Sequence, residues 1–152
     1  MARSNRSRQS DQGPFPGEAL GLPEQGPGSI VGMGRRVLAL FVDWVLAAGL
    51  AGLAVPFGFA QTQNFLTSGV WQNTATAIWF VLGVVAVRLF QFTPGQFALG
   101  LRVASVDERL YVGLGRAAAR MVLIVFVVPA LFVDVDGRGI QDRVTATAVV
   151  RR

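Results

Sequence analysis

Residues 35–60 limit what this chain can fold into more than any other stretch. Arg35 and Arg36 stand at the head of a long apolar run, and from Val37 to Ala60 the only charge is Asp43. A run of this length predicts a helix able to cross a bilayer, which takes about 20 residues. A carboxylate inside such a segment costs about 2.5–3.5 kcal/mol on insertion scales, so it needs a partner or a wet cavity. Arg36 and Asp43 are seven residues apart and fall on nearly one face of that helix.

Apolar residues bunch in three clusters, 37–60, 74–92 and 117–133, in a chain that is 52% hydrophobic with a mean hydropathy of +0.48. Bunching without amphipathic periodicity predicts a small one-domain, multi-span protein of the cell membrane. The expected fold is an all-α integral membrane protein with three hydrophobic helices. The third is short and either spans or re-enters. The formal charge is +5, and every basic residue is arginine. Because these arginines flank the apolar runs, they read first as topological signals and not as a nucleic-acid surface. The absence of cysteine excludes disulfides, thiolate metal sites and thiol nucleophiles. The absence of histidine removes the commonest metal ligand and general base. No cofactor, metal site or enzymatic activity is expected. No secretory signal is visible, since the first apolar run starts late and is long.

Residues 1–34 carry Arg3, Arg6 and Arg8 and then a Pro/Gly/Gln-rich stretch without periodicity. They predict a disordered cytoplasmic tail. It either touches anionic lipid or simply solubilises the N-terminus. Residues 35–150 form the membrane domain. In the first span, about 36–59, Ala48 and Gly52 offer a close-approach pair for helix packing, and Pro56 kinks or closes the far end. Residues 61–73 are uncharged and suit an external loop with Trp71 as an interface anchor. The second span, about 74–92, has one charge, Arg88. With opposite helix directions Asp43 and Arg88 come to similar depths, which predicts an Asp43–Arg88 contact with Arg36 nearer the surface. The alternative is that Arg88 snorkels to the headgroups.

Beyond it, Thr93-Pro94-Gly95 signals a turn, and Gly100–Val106 alternates like a short strand or an interfacial piece. Asp107-Glu108-Arg109 reads as a polar turn. Arg116 and Arg120 lie one helical turn apart and face the same way. Arginines 102, 109, 116 and 120 against two acids place this loop in the cytoplasm. The strictly apolar part of the third run, Met121–Val133, has 13 residues and contains Pro129, which leaves spanning and re-entry both open. Asp134 and Asp136 beside Gly137 lack the spacing of a calcium loop and read as a turn with an Asp136–Arg138 contact. Thr147–Val150 is rich in β-branched residues and is expected to pack back on the membrane face.

Taken in order, these pieces resemble the RDD family of small bacterial membrane proteins, named for an arginine and two aspartates. Here those residues are Arg36, Asp43 and Asp142. The likeness covers about residues 31–150. It includes Arg36-VLALFV-Asp43, the stretch Thr93-Pro94-Gly95-Gln96 with Gly100-Leu101-Arg102-Val103, Arg120 before the last apolar run, and the closing Gln141-Asp142-Arg143…Thr145-Ala146-Thr147. The chain departs from the family pattern at Gln96 (commonly basic), Gln141 (commonly histidine) and Ala146 (commonly glycine). The resemblance implies a three-span topology and no settled activity, although some members are thought to move ions or protons. The Arg-only basic set and the high Ala, Gly and Val content fit an actinobacterial source.

Two readings of function follow. In one, Arg36, Asp43, Arg88, Arg120 and Asp142 form a polar clasp, and the protein is an accessory or scaffold subunit of a membrane or cell-envelope complex. In the other, Asp43 binds the cargo of an ion or proton transporter. A chain this small cannot enclose a path, so that reading requires a homo-oligomer. The expected partners are the lipid bilayer and either further copies or a larger membrane protein.

Overall fold

The computed structural model describes residues 15–59, 62–67, 69–107, 112–126 and 138–152. After a 3-10 turn at Glu18–Leu20, the elements are α1 (Met33–Gly52), α2 (Thr62–Thr67), α3 (Val70–Phe90), α4 (Pro94–Ala98), β1 (Leu101–Ser105), α5 (Leu114–Val125), α6 (Ile140–Val144) and β2 (Thr147–Arg151).

α1, α3 and α5 pack together. Ala47 of α1, Trp79 of α3, and Met121 and Ile124 of α5 make one apolar core, with Trp44 set edge-on to Trp79 at 6.3 Å. α1 presents a stripe of buried residues at Arg36, Ala39, Asp43, Ala47 and Ala51, spaced three or four apart as one helical face requires. Small residues there let the helices approach closely. The pair expected at Ala48 and Gly52 sits one position off this stripe, and a Cβ built on Gly52 would meet nothing within 4 Å. α1 ends at Gly52, so Pro56 follows the helix and does not kink it.

One end of this helical pack is closed by a sheet. β1 and β2 are antiparallel, with Val103 opposite Val149. Residues 28–31 pair with the other edge of β2, since Val31 N–H donates to Val149 O at 3.1 Å and Arg151 N–H to Ser29 O at 2.9 Å. Val31, Ala39, Leu101 and Val149 form a second core beneath α1. Val87, Val103, Val112 and Ala117 form a third, between the end of α3, β1 and the start of α5.

Several expectations are corrected by this arrangement. The fold is mostly helical but not all-α. Thr147–Val150 is a buried strand and does not lie on a membrane face. The folded part begins before residue 35, because the β2 edge needs residues 28–31 to satisfy its backbone. Residues 1–14 of the expected tail lie outside the described residues. Among those described, one helix, α3, is long and apolar enough to cross a membrane, not three. α1 carries Arg35, Arg36 and Asp43 within its 20 residues, and its uncharged part after Asp43 rises only about 14 Å. α5 has 12 residues and rises about 18 Å. Both fall short of a hydrocarbon core of about 30 Å. The remainder of the third apolar run, with Pro129, Asp134 and Asp136, lies outside the described residues.

Candidate functional site

The charged seam divides into two stations at the junction of helices and sheet. α1 serves both from one face, with Arg36 and Asp43 two turns apart and Ala39 between them.

The first station is built on Asp43. Its Oδ2 accepts the Thr93 hydroxyl at 2.5 Å, and its Oδ1 accepts the Gly95 N–H at 2.7 Å. Thr93 is the N-cap of α4, and its Oγ1 accepts from Gln96 N–H at 3.2 Å while Gln96 Oε1 accepts from Thr93 N–H at 3.0 Å. This is a capping box, which satisfies helix-start donors reciprocally. The side chain at 96 must therefore accept a hydrogen bond, which glutamine does and a lysine or arginine cannot. Gly95 lies against the α1 backbone, where a Cβ would meet Ala39 O at 2.1 Å. The Thr-Pro-Gly turn is thus the surface that receives Asp43.

The second station is built on Asp142, which is fully buried in α6. Arg36 Nη1 donates to its Oδ2 at 2.5 Å, and Arg120 Nη1 from α5 donates to its Oδ1. Gly139 N–H adds a third bond to Oδ2 at 3.2 Å. The two arginines spend further donors on the strands. Arg36 Nε reaches Val31 O at 2.9 Å, and Arg120 Nη1 reaches Thr147 Oγ1 at 3.1 Å. Half-buried Arg138 donates to the carbonyls of Thr147 and Asp142. Burial would push the Asp142 carboxyl up, but Arg120 and Arg36 together reverse that and hold it below its ordinary range. The result ties α1, α5, α6, β2 and residues 28–31 to one carboxylate.

Of the five residues expected in one clasp, the structure gathers Arg36, Arg120 and Asp142. Asp43 forms the separate station above. Arg88 is exposed in the last turn of α3, and the expected Asp43–Arg88 ion pair is not present. Arg88 lies off the face through which Gly83, Ala86 and Val87 pack. Arg116 and Arg120 also part company, since Arg116 turns outward to Asp107 at 2.7 Å. Arg102 is an exposed β1 residue, and Gly100 occupies a positive-φ position, +68°, before that strand.

Thr145, Thr147, Gln96 and Arg138 are the polar partners that sequence reasoning missed. The three uncharged residues sit in strand and cap settings and give no charge signal, and Arg138 spends its donors on backbone carbonyls, where charge pairing points only to an acid. Gln141 is buried beside Asp142, and its Oε1 has no hydrogen-bond partner among the described residues. Among the described residues no group of three His, Cys, Asp or Glu could hold a metal.

Outward-facing side chains on the helices are large and apolar, among them Phe41, Val45 and Leu50 on α1, Val81, Val85 and Leu89 on α3, and Val122 on α5. Apolar side chains on the outer faces of the helices, with the buried charges gathered and hydrogen-bonded at one end, are what a lipid environment favours.

No curated protein and no solved structure gives a significant match to the chain. The RDD family model matches residues 30–145, a span that holds Arg36, Asp43, Arg120 and Asp142 together with α3. The chain is therefore a membrane protein that belongs to the RDD family.

Proposed function

We propose that this protein is a non-catalytic accessory or scaffold subunit of a membrane or cell-envelope complex. The observation that carries this reading is that both family aspartates are spent on internal hydrogen bonds. Asp142 is held by two arginines and a backbone N–H, and Asp43 by Thr93 and Gly95. Groups so engaged hold segments in place.

In this reading the sheet end faces the cytoplasm. Exposed Arg35, Arg88, Arg102, Arg143, Arg151 and Arg152 belong to elements at that end, whereas residues 53–70 beyond the other end of α1 are uncharged. Such an asymmetry sets orientation. A single cysteine introduced at exposed Gln63 should label from outside intact cells, and one at exposed Arg143 should not.

The test of the subunit reading is extraction of the tagged full chain from its native membrane in a mild detergent, followed by mass and composition analysis. A reproducible stoichiometric partner of a different sequence is expected. A pure homo-oligomer would overturn the reading and favour the transport alternative. That alternative rests on one feature: Asp43, unlike Asp142, has no arginine within ion-pair distance among the described residues.

A further inference from the structure

Where α3 ends, the chain makes a turn through Gln91, whose φ is +64°, and brings three phenylalanines together. Phe92 stacks on Phe90 at 5.8 Å and on Phe97 of α4 at 5.0 Å between ring centroids. Over two of these rings lies the guanidinium of Arg152, 5.3 Å from the Phe92 centroid and 4.9 Å from that of Phe97. Arg152 is anchored through its backbone, whose N–H donates to Gly100 O at 2.8 Å. Its side chain is exposed and forms no ion pair with a carboxylate among the described residues.

This cluster lies at the end of α3, which among the described residues is the helix long and apolar enough to cross a membrane. Arg88, exposed and likewise without an ion pair among the described residues, is in the last turn of that helix. Phe90 and Phe97 are 59% and 52% exposed, so half of each ring faces outward. Val81, Val85 and Leu89, spaced by four along the outer face of α3, form an exposed apolar lane leading to the same level. Apolar surface below and a planar, donor-rich cation above match the two halves of a phospholipid. The aromatic rings hold the guanidinium in a preferred place through cation–π attraction, which lowers the ordering cost of binding. Arginine is suited to bidentate contact with a phosphate.

We infer that Arg152, seated on Phe92 and Phe97, forms a headgroup site for an anionic phospholipid, with the acyl chains against the outer face of α3. The test is native mass spectrometry of the full chain in a mild detergent containing equal phosphatidylglycerol and phosphatidylcholine. The wild type should retain phosphatidylglycerol in preference. Arg152→Gln should reduce that preference about fivefold, as expected for one arginine at an anionic surface. Phe97→Leu keeps an apolar residue but removes the ring and should weaken retention in the same direction. Arg143→Gln removes an equal charge from α6 and should leave the preference unchanged. Added glycerol phosphate should not displace the lipid. The site is refuted if the wild type shows no preference, if Arg143→Gln lowers it as much as Arg152→Gln, or if Phe97→Leu leaves it intact. Displacement by glycerol phosphate would equally refute it, by showing a site for free phosphate esters.

Discussion

A methyl group on Gly95 would stand 2.1 Å from the carbonyl oxygen of Ala39, and 3.0 Å from Asp43 Cγ. The α4 turn therefore meets α1 through bare backbone, and Asp43 bonds to the N–H so exposed. Because the opposing atom is backbone, it cannot swing aside. Gly95→Ala should destabilise the protein by about 2–3 kcal/mol, through overpacking and displacement of the Asp43 bond. Thermal unfolding in detergent reads this directly. An unchanged midpoint would mean that the helices stand further apart.

Asp142 should set an acid limit on stability. Its carboxyl is held below the ordinary range in the folded state despite burial, because Arg120 and Arg36 flank it. A group with a depressed folded pKa contributes its stability above the unfolded value, about 3.9, and loses it as pH falls through the folded value. Stability from this group should be level between about pH 7 and pH 5 and decline below about pH 4. Asp142→Asn should cost about 3–5 kcal/mol at neutral pH, since two buried guanidinium groups lose their counter-charge. The difference between wild type and variant should shrink in acid, which a pH series of unfolding midpoints measures.

Ala146 should be a site of easy stabilisation. Its φ is +49°, a left-handed conformation that a Cβ disfavours. Ala146→Gly should stabilise by about 0.5–1 kcal/mol, because relief of the strain exceeds the added unfolded-state entropy. A lower unfolding midpoint in Ala146→Gly would contradict this.

Gln141 makes a related prediction. Its Oε1 is buried without a partner among the described residues, and an unsatisfied buried carbonyl costs about 1–3 kcal/mol. Gln141→Met keeps the length of the side chain and removes the orphan oxygen, so it should be neutral or stabilising. A loss above about 1 kcal/mol would show that the amide carries a bond this structure lacks.

Much of this arrangement was legible from sequence, and the misses have physical causes. The seven-residue spacing of Arg36 and Asp43 gave their common face, because helical period alone determines it. Alternation in Gly100–Val106 marked β1. Depth along the helices predicts the Asp43–Arg88 contact, and azimuth rules it out for Arg88. At about 100° per residue it lies roughly 140° from Gly83, where α3 meets Met121. The partnership of Asp43 with Thr93 and Gly95 is 50 residues distant in sequence and carries no opposite charge. β2 was read as a membrane-facing piece because four β-branched or small residues look the same whether they face lipid or a second strand. The apolar run 37–60 predicts a full span, but Arg36 and Asp43 commit the first turns of α1 to the sheet end, and only the remainder is free of charge.

The proposed function requires that Asp43 and Asp142 hold the structure together and do not carry cargo. Asp43→Asn tests it most directly, in purified protein assayed both for thermal unfolding and for cation and proton flux after reconstitution into liposomes. Stability should fall by about 1–3 kcal/mol, from weakened bonds to Thr93 and Gly95. Neither wild type nor variant should show flux above protein-free liposomes. A variant that unfolds at the wild-type temperature while abolishing a flux the wild type carries would contradict the proposed function and make Asp43 part of an ion path.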